Sequence, residues 1–380
     1  MMKLEDIITP TYIYDVDAFR TNAEDVVSIV RSHYPNFRLA YSYKTNYFRP
    51  FIDEAERLGL YAEVVSPQEY YVTSELRENP QNIIYNGVID DFHNKWLVAN
   101  KGGIVNIENM PEMMKFVNYT NSSKETMEVG IRINIDLENG LTSRFGFDVD
   151  GKDFEWLSNS NNHPYLKFKC VHFQFGGSAG GLRTPEMFRK RVRKCVEIAR
   201  QLNARIVDIG GNIIGRLGAD YLSQFHNTPP TMEVVCNAIG EEMAAVCPQG
   251  DIELIAECGS ALVTNAMHIL TTITNINVVR GKAFITCDCR KSDVGWSANR
   301  YDPSNIYFGK YEQTVVDAVV CGCECREEDV LIRKYTGPAL VGGKLLIKNI
   351  GAYSYSVRNN FITPGCKNVI DIKKVDFRIG

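Results

Sequence analysis

The chain has 380 residues, of which 44% are hydrophobic and 23% charged, the balance of an ordinary soluble globular protein long enough for two domains. A formal net charge of −4 leaves no basic surplus to meet phosphates, which argues against nucleic acid as the main partner. No apolar run approaches the ~20 residues that would span a bilayer, so no membrane partner is expected. Met1 to Pro10 lacks the charged-then-apolar pattern of a secretion signal, and the expected compartment is the cytoplasm.

The first strand-like run is Thr11 to Val16, followed by a helical stretch from Asp17 to about Ser32. A regular alternation then begins. Strand-like runs end near Lys44, Ser66, Asn86, Ile107, Asn134, Gln174, Gly210 and Glu257. Most are separated by amphipathic segments, such as Thr184 to Leu202 with Phe188, Val192, Val196 and Ile198. Eight strands alternating with helices predict an α/β fold built on a (β/α)8 TIM barrel, which alone can use ~250 residues. After about Val263 the helical pattern fades into short β-rich runs: Ile269–Ile276, Lys282–Thr286, Ala318–Cys321, Lys344–Ile350 and Asn368–Ile372. The expected organisation is an N-terminal strand and helix over 1–30, a barrel over 31–263, and a mainly antiparallel C-terminal β domain over 264–380 that the first strand joins.

The eleven cysteines are scattered, and reduced thiols are expected. Cys287-x-Cys289 and Cys321-x-Cys323-x-Cys325 are spaced by two, which fits thiols along one face of a strand better than the Cys-x2-4-Cys pairs of zinc sites. No metal is expected.

In a barrel the chemistry sits at the C-terminal ends of the strands. Lys44 stands at the end of the first, where Phe37, Leu39, Tyr41 and Tyr43 alternate before a helix opened by Pro50. A partly buried lysine is a candidate Schiff-base nucleophile, although a lysine snorkelling from a strand end is the plainer reading of that stretch alone. Other strand ends carry Ser66, Asn86, Arg132, His172, Gln174, Asp208-Ile-Gly-Gly-Asn212 and Glu257-Cys-Gly-Ser260. Paired glycines at Gly210-Gly211, with Gly259-Ser260, suit the phosphate position after strands seven and eight. A lysine, a phosphate cradle and the Glu257 carboxylate together suggest pyridoxal 5'-phosphate, with the carboxylate keeping the pyridine nitrogen protonated.

Tyr-Ser-Tyr-Lys44-Thr-Asn resembles the lysine motif of fold-type III pyridoxal phosphate enzymes, the alanine racemase and diaminopimelate/ornithine decarboxylase superfamily. The decarboxylase branch is further resembled by Ala62-Glu-Val-Val-Ser66-Pro-Gln-Glu69 and Ser143-Arg-Phe-Gly146. So it is by Asp208-Ile-Gly-Gly-Asn212, Glu257-Cys-Gly-Ser260-Ala-Leu-Val-Thr-Asn and Gly351-Ala-Tyr353-Ser-Tyr-Ser. The resemblance implies a decarboxylase acting as a homodimer with shared active sites on a small amino-acid substrate. Lys44 would carry the cofactor as a Schiff base. Ser66, Gly176, Gly177, Gly210, Gly211, Asn212, Gly259, Ser260 and Tyr353 would help to bind it, and Glu257 would pair with its ring nitrogen. Cys325-Arg-Glu-Glu-Asp329-Val-Leu has the spacing of the family's proton-donating cysteine, delivered into the partner's site; Cys323 is the rival alignment.

Three departures bear on specificity. His-Phe-Gln174-Phe replaces the family's His-x-His-x, so Gln174 takes the ring-covering place, and His172 reads either as a cofactor contact or as a satisfied core histidine. Ser260 replaces the arginine of Glu-Pro-Gly-Arg. Arg326 replaces the glutamate that follows the cysteine, which should reverse the preferred charge at the substrate's far end. A diamino-acid-like or carboxylate-bearing substrate is therefore expected, neither plain diaminopimelate nor a simple diamine precursor, with a distal carboxylate or other acceptor-rich group and with Arg132, Arg290, Tyr301 and Arg326 as candidate contacts. The rival activities are a racemase or epimerase on the same fold and a non-catalytic cofactor-binding relative.

Overall fold

The computed structural model describes residues 1–75, 80–136, 142–175, 183–225, 227–300, 302, 304–310 and 313–377. Eight parallel strands close into a barrel: Phe37–Ser42, Tyr61–Val64, Ile83–Tyr85, Ile104–Ile107, Met127–Asn134, Leu166–His172, Ile206–Asp208 and Glu253–Cys258. The eighth pairs with the first, and the fourth with the fifth, so no edge is left open. The intervening helices begin where capping chemistry dictates. Asp15 accepts from Ala18 N ahead of Val16–His33, Pro50 sits in the first turn of Arg49–Arg57, and Thr184 caps Pro185–Gln201. No helix among the described residues is long and apolar enough to cross a membrane.

Side-chain period two sorts each strand into an outward face against the helices and an inward face. Tyr41 points outward, edge-on to Phe19 at 5.1 Å. The inward residues form an apolar plug of Ala40, Tyr61, Ile84, Ile104, Cys170, Ile206 and Ile255, one from each of seven strands. Two residues further along those strands stand Ser42, Glu63, Asn86, Asn106, His172, Asp208 and Glu257, all buried. The barrel interior thus changes from hydrocarbon to polar within one pleat, toward its C-terminal mouth.

The second sheet runs in the order Ile306–Phe308, Lys344–Ile347, Met267–Val279, Lys282–Cys287, Thr314–Cys321 and Val330–Pro338. It is mostly antiparallel. Thr11–Tyr14 adds to it antiparallel to Met267–Leu270, and Asn368–Asp371 runs parallel to Thr11–Tyr14. Two strands of this sheet escape the sequence reading. Ile306–Phe308 is too short to show a period, and Val330–Pro338 carries Arg333 and Lys334 on exposed positions at the sheet's edge. The cysteine reading also needs correction. The strand stops at Cys321, and Cys323 and Cys325 lie exposed in the turn that follows.

Gly130, inward on the fifth barrel strand at a register shift, leaves room for Asn106, and a Cβ there would lie 2.0 Å from Asn106 Oδ1 and 3.0 Å from Cys170 Cβ. Gly130→Ala is expected to destabilise the fold by about 1–3 kcal/mol, read as a lower urea midpoint with unchanged slope.

Candidate active site

The first barrel strand ends at Ser42, and a turn of 3-10 helix, Tyr43–Thr45, carries Lys44 over the mouth. The C-terminal segment holds that turn from above. Ser356 Oγ donates to Lys44 O at 2.9 Å and Thr45 O at 3.0 Å, Tyr353 N donates to Thr45 O at 2.9 Å, and Asn46 Nδ2 donates to Gly351 O at 2.9 Å. Lys44 Nζ lies 2.7 Å and 2.6 Å from the two oxygens of Glu63. Glu63 has no solvent exposure and also accepts from Ser42 Oγ and, at 3.1 Å, from Asn86 Nδ2. Asn86 is itself oriented by Asn106 Nδ2, which donates to its Oδ1 at 2.8 Å; its own Nδ2 reaches Glu257 at 2.5 Å. The carboxylates at the ends of the second and eighth strands are thereby joined through one amide.

Burial alone would depress the Lys44 pKa, but the carboxylates of Glu63 and Glu257 outweigh it and raise it. Asp208 is pushed far above the usual carboxyl range by burial and by neighbouring Glu257. Burial opposes ionisation of Glu257 too, yet His172 and Lys44 hold it below its ordinary value. One proton therefore resides on Asp208 and a negative charge on Glu257. Lys44 lies against Glu63 and is linked through the Asn86 amide to the ionised carboxylate of Glu257.

A cavity of about 760 Å³ opens above this belt, with Lys44, Glu108, Arg132, Phe145, His172 and Glu257 in its wall. A second lobe of about 350 Å³ shares Lys44, Gln174 and Glu257 and is closed by Gly211, Asn212, Gly259, Ser260 and Tyr353. Glycine is required there: a Cβ on Gly259 would lie 2.0 Å from Thr45 Oγ1, and one on Gly211 would lie 2.3 Å from Glu257 O.

Several expected site residues stand elsewhere or act otherwise. His172 is not a satisfied core histidine: neither ring nitrogen has a hydrogen-bond partner, and Nε2 faces Glu257 at 3.6 Å. Gln174 reaches toward the glycine loop, its Oε1 accepting from Gly211 N at 2.5 Å, while Gly210 N donates to Asp208 Oδ1 at 2.9 Å. Both amides expected to meet a phosphate are therefore occupied by side chains. Ser66 caps the helix Pro67–Ser74 and accepts from Glu69 N, and Val65 rather than Ser66 reaches the cavity. Arg132 lines the cavity but pairs with Glu108 at 2.5 Å and donates to Gln174 O at 2.8 Å. Arg290 is not a cavity residue of this chain: it is buried, gripping Asp293 and the carbonyl of Thr363. Gly176, Gly177 and Tyr301 lie outside the described residues.

Cys325 and Arg326 sit in the turn after Cys321, away from both lobes of this chain's cavity. Asp329 shapes that turn, accepting from Glu324 N at 2.7 Å and Lys291 N at 2.6 Å. Arg326 pairs with Glu324 at 2.6 Å and lies over the Phe361 ring. The sequence reading assigned no role to Glu63, Asn106 or Arg183. Glu63 was detectable as a single charge at an inward position of an otherwise apolar strand.

A lysine at a barrel mouth, buried anions on the neighbouring strands and a glycine-walled lobe beside them define a cofactor-dependent enzyme of the (β/α)8 class. A family model described as "Pyridoxal-dependent decarboxylase, pyridoxal binding domain" matches residues 22–264, and the chain belongs to that family of amino-acid decarboxylases, whose cofactor is pyridoxal 5'-phosphate. It is 23% identical to a diaminopimelate decarboxylase of Methanocaldococcus jannaschii over 376 residues, covering 94% of this chain and 84% of the relative. It is likewise 23% identical over 380 residues to that of Bacillus subtilis, covering 93% and 84%. The crystal structure of the M. jannaschii diaminopimelate decarboxylase superposes with a TM-score of 0.82 at 22% identity, covering 97% of this chain and 88% of the other. A lysine/ornithine decarboxylase from Vibrio vulnificus complexed with putrescine superposes at 0.77 with 15% identity, covering 97% and 96%.

The residues present fit this cofactor. Lys44 supplies the amine, and the ionised carboxylate of Glu257 suits a protonated ring nitrogen. The unpartnered His172 nitrogens and Asn212 Nδ2 are buried groups awaiting a polar ligand.

Burial raises Glu69 to about 7, against the hydrogen bond from Val65 N and with help from Glu63. A carboxyl raised in this way favours folding while protonated; the contribution is complete below its ordinary value of 4.5 and is lost as pH rises through 7. Glu69→Gln keeps an acceptor for Val65 N but cannot ionise. It is expected to exceed the wild type in stability by about 1–2 kcal/mol at pH 8 and to match it at pH 4, measured by urea unfolding. A gain seen only at pH 4 would reject this.

Proposed function

We propose that this decarboxylase acts on an amino acid with a second charged group, preferentially a carboxylate at its far end, and works as a homodimer in which Cys325 of one subunit serves the site of the other. The observation that carries the reading is the Lys44–Glu63–Asn86–Glu257 chain, which sets a lysine and a buried anion in the wall of one cavity. When bound, pyridoxal phosphate supplies the electron sink; the side chains orient, shield and move protons. Glu63 fixes Lys44 Nζ and can take its proton, and Glu257 stays ionised under the Asn86 amide. The apolar parts of Val88, Ile89, Phe145 and Phe175 in the wall limit water around the substrate's Cα–carboxylate bond. Once that bond breaks and CO2 leaves, the proton held at Cys325 Sγ replaces it on carbon.

Cys325 suits this role better than Cys323. Cys323 Sγ donates to Asp288 O at 3.5 Å, whereas Cys325 is exposed on a turn held by Asp329. Arg326 follows it on the same turn, where a guanidinium would meet an acceptor-rich far end. The relatives named diaminopimelate decarboxylase support a diamino-acid-like substrate, and Arg326 in place of glutamate supports one that is not plain diaminopimelate.

The test is CO2 release from pooled amino acids and carboxylated diamino acids by the cofactor-loaded enzyme. Lys44→Ala is expected to abolish release, and Cys325→Ala to reduce turnover about 10²-fold or more. Mixing the two variants in equal amounts should restore about a quarter of wild-type activity, because half the dimers then contain one intact shared site. If the mixture stays inactive, shared sites are rejected. Arg326→Glu should move preference from substrates with a distal carboxylate to those with a distal ammonium, measured by direct competition; an unchanged preference rules out its role.

A further inference from the structure

We propose that Arg183, together with the side-chain amide of Asn212, is the anchor that holds the cofactor's phosphate group. The inference rests on the cofactor assignment above and concerns which residues of this chain receive the anion.

A phosphate dianion in a partly buried lobe requires several N–H donors and, in general, a cation. The glycine loop offers less than its sequence suggests. Gly210 N is held by Asp208 Oδ1 at 2.9 Å and Gly211 N by Gln174 Oε1 at 2.5 Å. The cationic side chains in the wall of the smaller lobe, among the described residues, are Lys44 and Arg183, and Lys44 Nζ is already paired with Glu63.

Arg183 lies just before the helix Pro185–Gln201, in the connection after the sixth barrel strand. Its Nε donates to Asn212 Oδ1 at 2.9 Å, and neither terminal nitrogen has a hydrogen-bond or ion-pair partner among the described residues. The same contact fixes the Asn212 amide, whose Nδ2 is buried and also without an acceptor. A buried donor left unpaired is destabilising, and here the buried Asn212 amide stands beside the free terminal nitrogens of a half-buried guanidinium in the wall of one lobe, so an anion bridging them would satisfy both. Burial, with Arg300 close by, holds Arg183 below the usual guanidinium range, a condition that a bound anion relieves. Asn212 keeps its place by a left-handed backbone at φ 74°, a conformation asparagine tolerates well. Ser260, where the related motif has an arginine, faces the same lobe without a charge, so the guanidinium there comes from another strand's loop.

The experiment compares uptake of pyridoxal phosphate with that of pyridoxal, which lacks the phosphate. Full-length enzyme is stripped of cofactor and titrated with each compound, following absorbance at Lys44 and, for the phosphate, the 31P resonance. The wild type should prefer the phosphorylated form. Arg183→Gln should weaken pyridoxal phosphate binding about 10- to 100-fold and leave pyridoxal uptake unchanged, collapsing the preference. Arg183→Lys, which keeps the charge but loses the fork, should fall between. Undiminished preference in Arg183→Gln overturns the assignment, as does an equal loss of both compounds, which would mark a purely structural role. A wild type that takes up neither compound would instead overturn the cofactor assignment itself.

Discussion

Lys44 and Glu63 lie 2.6 Å apart in a place where the carboxylate has no solvent contact, so Glu63 depends on groups of the protein to balance its buried charge. A buried ion pair is tolerable only when the remaining lone pairs are filled, and Glu63 meets that condition through Ser42, both contacts to Lys44, and Asn86. Asn86 then extends the arrangement to Glu257 on the eighth strand, and Asn106 fixes which way Asn86 faces. Apart from Lys44, which stands on the turn above, each of these groups is an inward residue one pleat above the apolar plug. The chemistry at the mouth is therefore supported by the same alternation that closes the barrel.

Charge accounting gives this belt its direction. With Asp208 pushed toward its protonated form, Glu257 stays anionic beside His172 and Lys44. Ionising Asp208 as well would set two buried carboxylates side by side, which burial opposes. The site is consequently prepared for a cationic heterocycle beside Glu257 and an aldehyde beside Lys44, two features that one cofactor carries at opposite ends of its ring.

Much of this was legible in the chain. Alternation of strands and helices reported the barrel because each strand is a short local pattern, and Lys44 and Glu257 stood out because strand ends are where barrels place their chemistry. Hydrogen bonds between strands distant in sequence were not legible. Glu63 and Lys44 are neighbours only through the first and second strands, and Gln174 meets Gly211 only because the sixth and seventh strands pair side by side. His172 was ambiguous for the same reason: whether an inward histidine is satisfied depends on what the opposite wall offers it. Arg290 misled because arginine in a polar loop looks solvent-facing, whereas Asp293, one helical turn on, draws it inward. Val330–Pro338 was missed because an edge strand with basic residues has no clean period.

The C-terminal segment Gly351–Ser356 has no part in the barrel, yet it supplies Ser356 Oγ and Tyr353 N to the carbonyls of the lysine turn and receives Asn46 through Gly351 O. The position of the reactive amine is thus written in two distant parts of the chain. During synthesis the barrel sequence emerges long before that segment does, so Lys44 acquires its final orientation only when Gly351–Ser356 has been made. A nascent chain halted after the barrel would have an amine at the mouth but no fixed aim for it, and cofactor capture would be deferred until that segment docks.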